Sequence, residues 1–438
     1  MPSGSKCDTM LRVMAGMSAK RELRELAALM KAHGVTRCVV SPGSRNAPIA
    51  MTLEAAGLEC RTVVDERSAG FIALGWASQV QEAVAVCVTS GSAVLNLHPA
   101  VSEAYYRHIP LLVLTADRPA AWIGQQDGQT LPQPGVFGGL VRAAYNLPEG
   151  EGNDWEGNRI INEALLELRH RSGGPVQLNI PLSEPLFTTT EEPLPEPRII
   201  RRTELSCMTA DDEDELLDIV AQLPRRMILV GQLQRGAAIP PALVTEKQFA
   251  TVGEQLCNTP LLCARPDALL SRGTEGMAPD LLITVGGCII SKRLKQLLRT
   301  HPPKEHWHIS RDGDICDTFC ALTRSIEGSA DEIWELLAAF AEEGDEDFTA
   351  RWAAEPPEFD DPFCGMTAVG TAMAMLPEEA VLHLGNSSAV RYAQLFPLKE
   401  SVQVECNRGV NGIEGCVSAA LGFAGAHNRL HLHLCGAL

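Results

Sequence analysis

One repeated unit restricts the fold more than any other feature: a short apolar run, an immediate turn of Gly, Ser and charged residues, then a helical stretch. TRCVV leads to SPGSRNAP and a helix, RTVV to DERSAGFIALGWASQ, and AVAVCV to TSGSAVLNLHPAVSEAYY, before PLLVLTADRP closes the series. The runs are apolar throughout rather than alternating, the pattern of parallel strands covered by helices on both faces, and so predict an α/β fold. A helix over 19–33 comes first, with Leu23, Leu26, Leu29 and Met30 on one face, Ser18 as N-cap and Gly34 as its stop. The polar residues sit at one place in every unit, just after the strand: Ser41 to Arg45, Asp65 to Arg67, Ser90 to Ser92, and Asp117 with Arg118. C-terminal strand ends of an open parallel sheet share one edge, where ligands bind, so the four constellations are expected to converge there.

The pattern recurs. After EEPLPEPRIIRR (191–202), which reads as a linker, come RRMILVGQ, PLLCARPDALL, DLLITVGGCIISKRLKQLL and HWHIS, and after an acidic stretch (341–362) come VLHLGNSSAVRYAQL and VQVECNRGVNGIEGCVSAALGFAG. IALGWA (72–77) resembles AALGFA (419–424), and the ungapped continuation sets LHLHLC (430–435) opposite AVAVCV (83–88). Two related α/β domains are therefore expected, with roughly 105 residues missing from the second copy. The resulting division is 1–195, 196–355 and a partial third domain at 356–438. LHLHL is then expected to form an unprotected sheet edge, prone to aggregation or to pairing with another chain.

Charge narrows the function. With 37 Lys and Arg against 55 Asp and Glu, the net charge of −18 repels polyanions, and nucleic acid is excluded as a partner. No apolar run approaches the roughly 18 residues that span a bilayer, and the N-terminus lacks a basic region followed by an apolar one, so a cytoplasmic protein is expected. The 14 cysteines are scattered without a CxxC pair and read as reduced core thiols, and neither Cys316 with Cys320 nor Cys257 with Cys263 has a complementary pair for zinc.

Several strand-exit residues can carry chemistry. Glu66, beside Val63, Val64, Phe71 and Ile72, reads either as a helix-dipole acid, worth about 0.3–1 kcal/mol, or as a partly desolvated carboxylate able to exchange a proton with a bound heterocycle. Ser41-Pro-Gly-Ser-Arg45 and Ser90-Gly91-Ser92 can each cradle an anion at a helix start, although singly each is an ordinary turn, and neither is a dinucleotide or P-loop motif. Arg45, Arg118, Lys292, Arg293, Arg391 and Arg408 lie nearest the strand exits, and guanidinium geometry suits carboxylates. For Lys292 and Arg293 solvated surface charge is an equal reading; Arg45, Arg118 and Arg408 lie on tight Gly- or Pro-containing turns.

Taken together, SPGSR, DERSAGFIALG, VTSGSAVLNLHPAVSEA, LTADRP, Gln129 and QPGVF, then GGCIISKRL, GNSSAVR and NRGVNGIEG, resemble the 2-succinyl-5-enolpyruvyl-6-hydroxy-3-cyclohexene-1-carboxylate synthase family over essentially the whole chain. The resemblance implies a thiamine-diphosphate-enzyme fold: a parallel-sheet pyrimidine domain, a central Rossmann-like domain and an incomplete diphosphate domain. It implies a transferase of menaquinone biosynthesis that binds thiamine diphosphate and Mg²⁺ or Mn²⁺ between domains of two subunits, as a homodimer or homotetramer. The substrates it implies are 2-oxoglutarate, which is decarboxylated, and isochorismate, which receives the succinyl unit. By the same resemblance Glu66 and Gln129 are catalytic, Glu66 contacting the aminopyrimidine ring. Ser44, Arg45, Arg118, Lys292, Arg293, Ser387, Arg391 and Arg408 line the substrate site. Ser90, Gly91, Ser92, Asn386, Asn407 and Ile413 join Glu66 in binding the cofactor, Ile413 propping it into a bent shape.

One departure bears on activity. The family's Gly-Asp, which with a downstream Asn holds metal and diphosphate, falls at Gly436-Ala437, so Ala437 stands where Asp is expected and no metal ligand is assigned. Losing one partner of a buried charge set costs about 3–5 kcal/mol, so weak or no cofactor binding is expected, and a non-catalytic truncated remnant or fragment of that enzyme is the rival to the active transferase. A generic thiamine-diphosphate decarboxylase is the third reading, against which SPGSR and TADRP argue.

Overall fold

The computed structural model describes residues 16–150, 154–201, 208–233, 237–245, 248–314, 316–340, 344–359, 362–425 and 428–435. Gly436, Ala437 and Leu438 lie outside the described residues, and with them the expected metal position. The chain forms two compact units, Met1–Thr203 with Val417–His427, and Glu204–Cys416 with Asn428–Leu438.

The first unit is built on a parallel sheet of β1 (Arg37–Val40), β2 (Glu59–Thr62), β3 (Val84–Val88), β4 (Leu111–Asp117), β5 (Ala143–Asn146) and β6 (Val176–Pro181), in the order β2-β1-β3-β4-β6-β5. The central strands are buried on both faces, between a cluster around Leu26, Met30 and Ile161 and one around Leu74, Trp76 and Val101, which is why their sequences do not alternate. β2 is the exception. ECRT lies at the sheet edge and is half-exposed, so the expected strand RTVV is displaced two residues upstream. The ladder ends as Val63 N–H donates to Val40, and Val64 is 80% exposed.

Helix α1 (Arg21–Ala32) follows the expected apolar face, but it begins after Ser18; the Ser18 hydroxyl accepts from Lys20 N–H at 3.2 Å rather than capping the helix. Gly34 ends it at a φ of 77°. α2 (Ala47–Ala55) follows the SPGSR turn. α3 (Glu66–Val80) is capped by Asp65, which accepts from Ser68 N–H at 2.9 Å.

The internal repeat is realised in three dimensions. α4 (Cys416–Ala424) packs on α3 within the first unit, and the contact is reciprocal: a Cβ on Gly75 would lie 2.0 Å from the Ala419 carbonyl oxygen, and one on Gly422 would lie 2.1 Å from that of Ile72. Ile72 and Ala419 are equivalent in the repeat, as are Gly75 and Gly422. The two helices therefore cross about a local pseudo-twofold axis, and only glycine lets their backbones come this close.

In the second unit β7 (Arg226–Val230), β8 (Ala250–Gly253), β9 (Leu281–Val285), β10 (Glu305–Ser310) and β11 (Arg324–Glu327) form a parallel sheet in the order β8-β7-β9-β10-β11. The strand expected in PLLCARPDALL is found upstream, in ATVG; Cys263 adds one bridge to Val252, and Pro266–Leu269 is helical. A three-stranded parallel sheet follows, β12 (Val381–Leu384), β13 (Gln403–Cys406) and β14 (His431–Leu434), in the order β13-β12-β14. It reproduces the arrangement of β2-β1-β3, with β14 in the place of β3 and at the sheet edge. Of the cysteines, Cys38, Cys87, Cys257, Cys263, Cys406 and Cys416 are buried, whereas Cys288, Cys316, Cys320, Cys364 and Cys435 are exposed on loops rather than in the core. No helix among the described residues is long and apolar enough to cross a membrane.

Candidate functional site

The C-terminal edge of the first sheet gathers the polar turns. The Ser41 hydroxyl donates to the carbonyl of Val64 at 2.9 Å, tying the SPGSR turn to the entry of α3. Glu66, half-buried at the first position of that helix, accepts from Asn96 Nδ2 at 3.1 Å. Of the apolar neighbours expected around it, Phe71 is buried while Val64 faces solvent.

Arg45 is 5% exposed; its Nη1 donates to Leu182 O at 2.7 Å and its Nη2 lies 3.2 Å from Glu184. Burial, and then the nearby charge of Arg118, lowers the proton affinity of Arg45. Arg118 is half-buried, and its Nε, 3.9 Å from the Asp127 carboxylate, has no hydrogen-bond partner. Ser44, one residue before Arg45, is exposed.

The Ser90-Gly91-Ser92 turn leaves β3. Gly91 has a φ of 85°, and a Cβ there would sit 3.1 Å from the Gln129 backbone, so the turn and Gln129 are in contact. Gln133, the first residue of the QPGVF run but given no role in the sequence expectations, holds this arrangement from below. It is fully buried, accepts from Gly91 N–H at 2.8 Å, and donates at 3.0 Å to both the Ala116 carbonyl and Asn179 Oδ1. Asn179 in turn donates to Asp117 at 2.9 Å, and Asp117 accepts from Arg118 N–H at 2.7 Å. Burial raises the proton affinity of Asp117 against these bonds. One buried polar network thus fixes the SGS turn and the Asp117-Arg118 exit together. Only the Gln-Pro pair four residues after Gln129 hints at it in the sequence.

In the second unit the GNSS turn and the NRGVNG loop are joined by Asn386. Its Nδ2 donates to the carbonyls of Asn407 at 2.6 Å and Gly412 at 2.7 Å, and its Oδ1 accepts from Arg408 Nη1 at 2.8 Å. Asn386, Asn407 and Arg408 are buried, and Arg408 Nε is a buried donor with no hydrogen-bond partner. Ser387 follows with a φ of 70°, unusual for a residue with a side chain. Arg391, on the short helix Ser388–Ala393, is exposed, and Ile413 is 68% exposed. Lys292 and Arg293 open α5 (Lys292–Thr300) and are exposed; Arg293 pairs with Asp267 at 2.5 Å.

The first unit's edge suits the pyrimidine end of thiamine diphosphate. It offers a carboxylate at Glu66 and a buried Ser90 hydroxyl without a partner, which a ligand could satisfy. Among the described residues no group of three or more His, Cys, Asp or Glu side chains is arranged to hold a metal ion.

Comparison with known proteins adds the chemical context. Residues 23–135 match the thiamine pyrophosphate enzyme N-terminal TPP binding domain. A protein of Bacteroides fragilis named 2-succinyl-5-enolpyruvyl-6-hydroxy-3-cyclohexene-1-carboxylate synthase is 46% identical over 437 residues, covering 96% of this chain and 79% of that protein. Proteins of the same name from Desulfotalea psychrophila and Flavobacterium johnsoniae are 36% and 33% identical, covering 96% and 94% of this chain and 81% and 78% of theirs.

Proposed function

Because the chain belongs to the 2-succinyl-5-enolpyruvyl-6-hydroxy-3-cyclohexene-1-carboxylate synthase family, a family of thiamine-diphosphate-dependent transferases, we propose that it decarboxylates 2-oxoglutarate and joins the succinyl unit to isochorismate. Thiamine diphosphate, when bound, supplies the carbon nucleophile and the electron sink that decarboxylation of a 2-oxoacid needs. The protein's own residues bind, orient and move protons. Glu66, at the first position of α3 and accepting from Asn96, exchanges a proton with the aminopyrimidine ring. Gln129, held against Gly91, orients the reacting groups, and the SGS turn seats the ring. Arg45 and Arg118, with Ser44, take a substrate carboxylate. In the second unit Asn386, Asn407 and Ile413 are assigned to the cofactor, and Lys292, Arg293, Ser387, Arg391 and Arg408 to substrate carboxylates.

The observation that supports this reading most is Arg45. In a protein of net charge −18, a guanidinium only 5% exposed and already paired with Glu184 stands beside Arg118, whose buried Nε has no hydrogen-bond partner, and this arginine pair at a strand exit favours an anionic ligand. Two dicarboxylate substrates supply one. The division into domains at 1–195, 196–355 and 356–438, a homodimeric or homotetrameric state and a cytoplasmic location belong to the same proposal, the domain division being supported by separate five- and three-stranded sheets in the second unit. Mg²⁺ or Mn²⁺ rests on the family resemblance alone, and no step is routed through it.

The test is substrate choice. Purified protein with thiamine diphosphate and Mg²⁺ should release carbon dioxide from 2-oxoglutarate only when isochorismate is present, and mass spectrometry should show the joined product. Release from pyruvate at a comparable rate, without isochorismate, would point instead to a general 2-oxoacid decarboxylase.

A further inference from the structure

Glu254 is a buried carboxyl with no part in the scheme above. It follows β8, is 1% exposed, and accepts hydrogen bonds from two successive backbone amides, Ile290 N–H at 2.8 Å to each oxygen and Ser291 N–H at 2.6 Å. These amides form the turn that delivers Lys292 and Arg293 to the start of α5, and the Ser291 hydroxyl caps that helix by accepting from Leu294 N–H at 3.1 Å. Glu254 therefore anchors the N-cap residue and the residue before it, fixing the backbone from which Lys292 and Arg293 project.

Four charged or titratable groups face this carboxyl and its turn. Lys295 approaches from α5, Arg408 from the loop after β13, and the Cys257 thiol from the turn Gln255–Cys257. Asp267, on the helix Pro266–Leu269, accepts from the Ser291 hydroxyl at 2.6 Å and pairs with Arg293. Burial pushes the Glu254 carboxyl up to about 7, while the two amides, Arg408 and Lys295 pull the other way. Arg408 in turn donates to Asn386, so the residue that the Glu254 charge attracts is also a member of the Asn386 cluster.

We propose that Glu254 is a positioning residue for dicarboxylate binding: its ionised carboxylate fixes the turn that carries Lys292 and Arg293 and holds Arg408 in place by charge. The proposal rests on the assignment of Lys292, Arg293 and Arg408 to substrate carboxylates. A purely structural Glu254 would matter equally at every pH, whereas a positioning charge acts only while it is ionised.

The experiment is calorimetric titration of the full chain with 2-oxoglutarate between about pH 5.5 and 8.5, a window that spans the carboxyl's titration. Glu254→Gln, Glu254→Asp and the double variant Lys292→Ala/Arg408→Ala are compared with the unmodified protein. At the alkaline end Glu254→Gln should bind about three- to tenfold more weakly, and Glu254→Asp should recover part of the loss because it keeps the charge. As pH falls through about 7 the unmodified protein should weaken toward Glu254→Gln, and the two should coincide at the acid end. Equal affinities at the alkaline end, or a deficit of the same size at both ends, would overturn the role of Glu254. If Glu254→Gln does not fold, the profile of the unmodified protein against Glu254→Asp decides: no weakening through this window overturns it. Loss of binding in Lys292→Ala/Arg408→Ala is expected in every case, and its absence would sink the substrate assignment instead.

Discussion

Replacing Gly75 with alanine tests the pseudo-symmetric helix pair directly, because two effects of opposite sign compete there. Glycine in a helix interior is about 0.5–1 kcal/mol worse than alanine, so propensity alone predicts that Gly75→Ala stabilises. The structure predicts the reverse. The new Cβ would stand 2.0 Å from the Ala419 carbonyl oxygen, and under 3 Å the helices must move apart. Overpacking of this kind costs about 1–3 kcal/mol, and a rigid backbone atom on the other side puts the cost at the upper end. The net expectation is destabilisation by about 2 kcal/mol, a fall in Tm of about 4–8 °C for a unit of this size.

Gly422→Ala should behave alike, since its Cβ meets the Ile72 carbonyl oxygen at 2.1 Å. Once one substitution has separated the helices the second adds little, so the double variant should fall short of additivity by at least about 0.5 kcal/mol. Gly157→Ala, in the helix Asp154–Glu167 with nothing within 4 Å of its Cβ, is the control and should be neutral to stabilising. Urea unfolding followed by circular dichroism measures all four. Stabilisation by Gly75→Ala, or full additivity in the double variant, would refute the close reciprocal packing.

Three further outcomes follow from the geometry. Gln133→Leu strands the Gly91 amide, the Ala116 carbonyl and Asn179, so it should lower stability by about 3 kcal/mol in urea unfolding and raise the Kd for thiamine diphosphate; unchanged stability would contradict the network. Arg45→Lys loses the bond to Leu182 and the planar fork, and should raise the KM for a dicarboxylate roughly 10- to 100-fold with a smaller effect on kcat, whereas an equal fall in kcat alone would argue against a binding role. His306 is fully buried, and burial, then the charge of His308, lowers its pKa from 6.5 to about 4. Between those values the unfolded chain binds more protons than the folded one, so stability falls as pH drops through the window, by up to about 3 kcal/mol. His306→Gln should flatten that part of the urea-midpoint profile, and an unaltered slope would assign it to other groups.

Much of the architecture was legible because parallel strands covered on both faces leave uninterrupted apolar runs, as in AVAVCV and LLITV. Strands without that pattern were misplaced. ECRT is an edge strand, and ATVG, also the terminal strand of its sheet, has only Ala250 and Val252 in the core and a single bridge to Cys263 on its free side, too short an apolar run to stand out. The reciprocal helix contact was half legible: the repeated A-L-G motif predicted related domains, but not that the two glycines face each other's helices. For the site, position after a strand located Arg45, Arg118 and Arg408, and their tight turns anticipated burial; Lys292 and Arg293, with an equal surface reading, are exposed. The roles of Gln133 and Glu254 were not legible, although Gln133 opens the QPGVF run. Each acts by accepting backbone amides from segments about 40 residues away in sequence, and such a role leaves no local spacing to read.

The central claim is that the edge of the first sheet holds the catalytic carboxylate, and Glu66→Gln tests it most directly. Glutamine keeps the size and an acceptor oxygen for Asn96 but cannot exchange a proton at neutral pH. With thiamine diphosphate, Mg²⁺, 2-oxoglutarate and isochorismate at saturation, product formation should fall by about 100-fold or more, with the urea midpoint unchanged. A rate within a few-fold of the unmodified protein would contradict the assignment of Glu66 and the reading of this edge as the reaction centre.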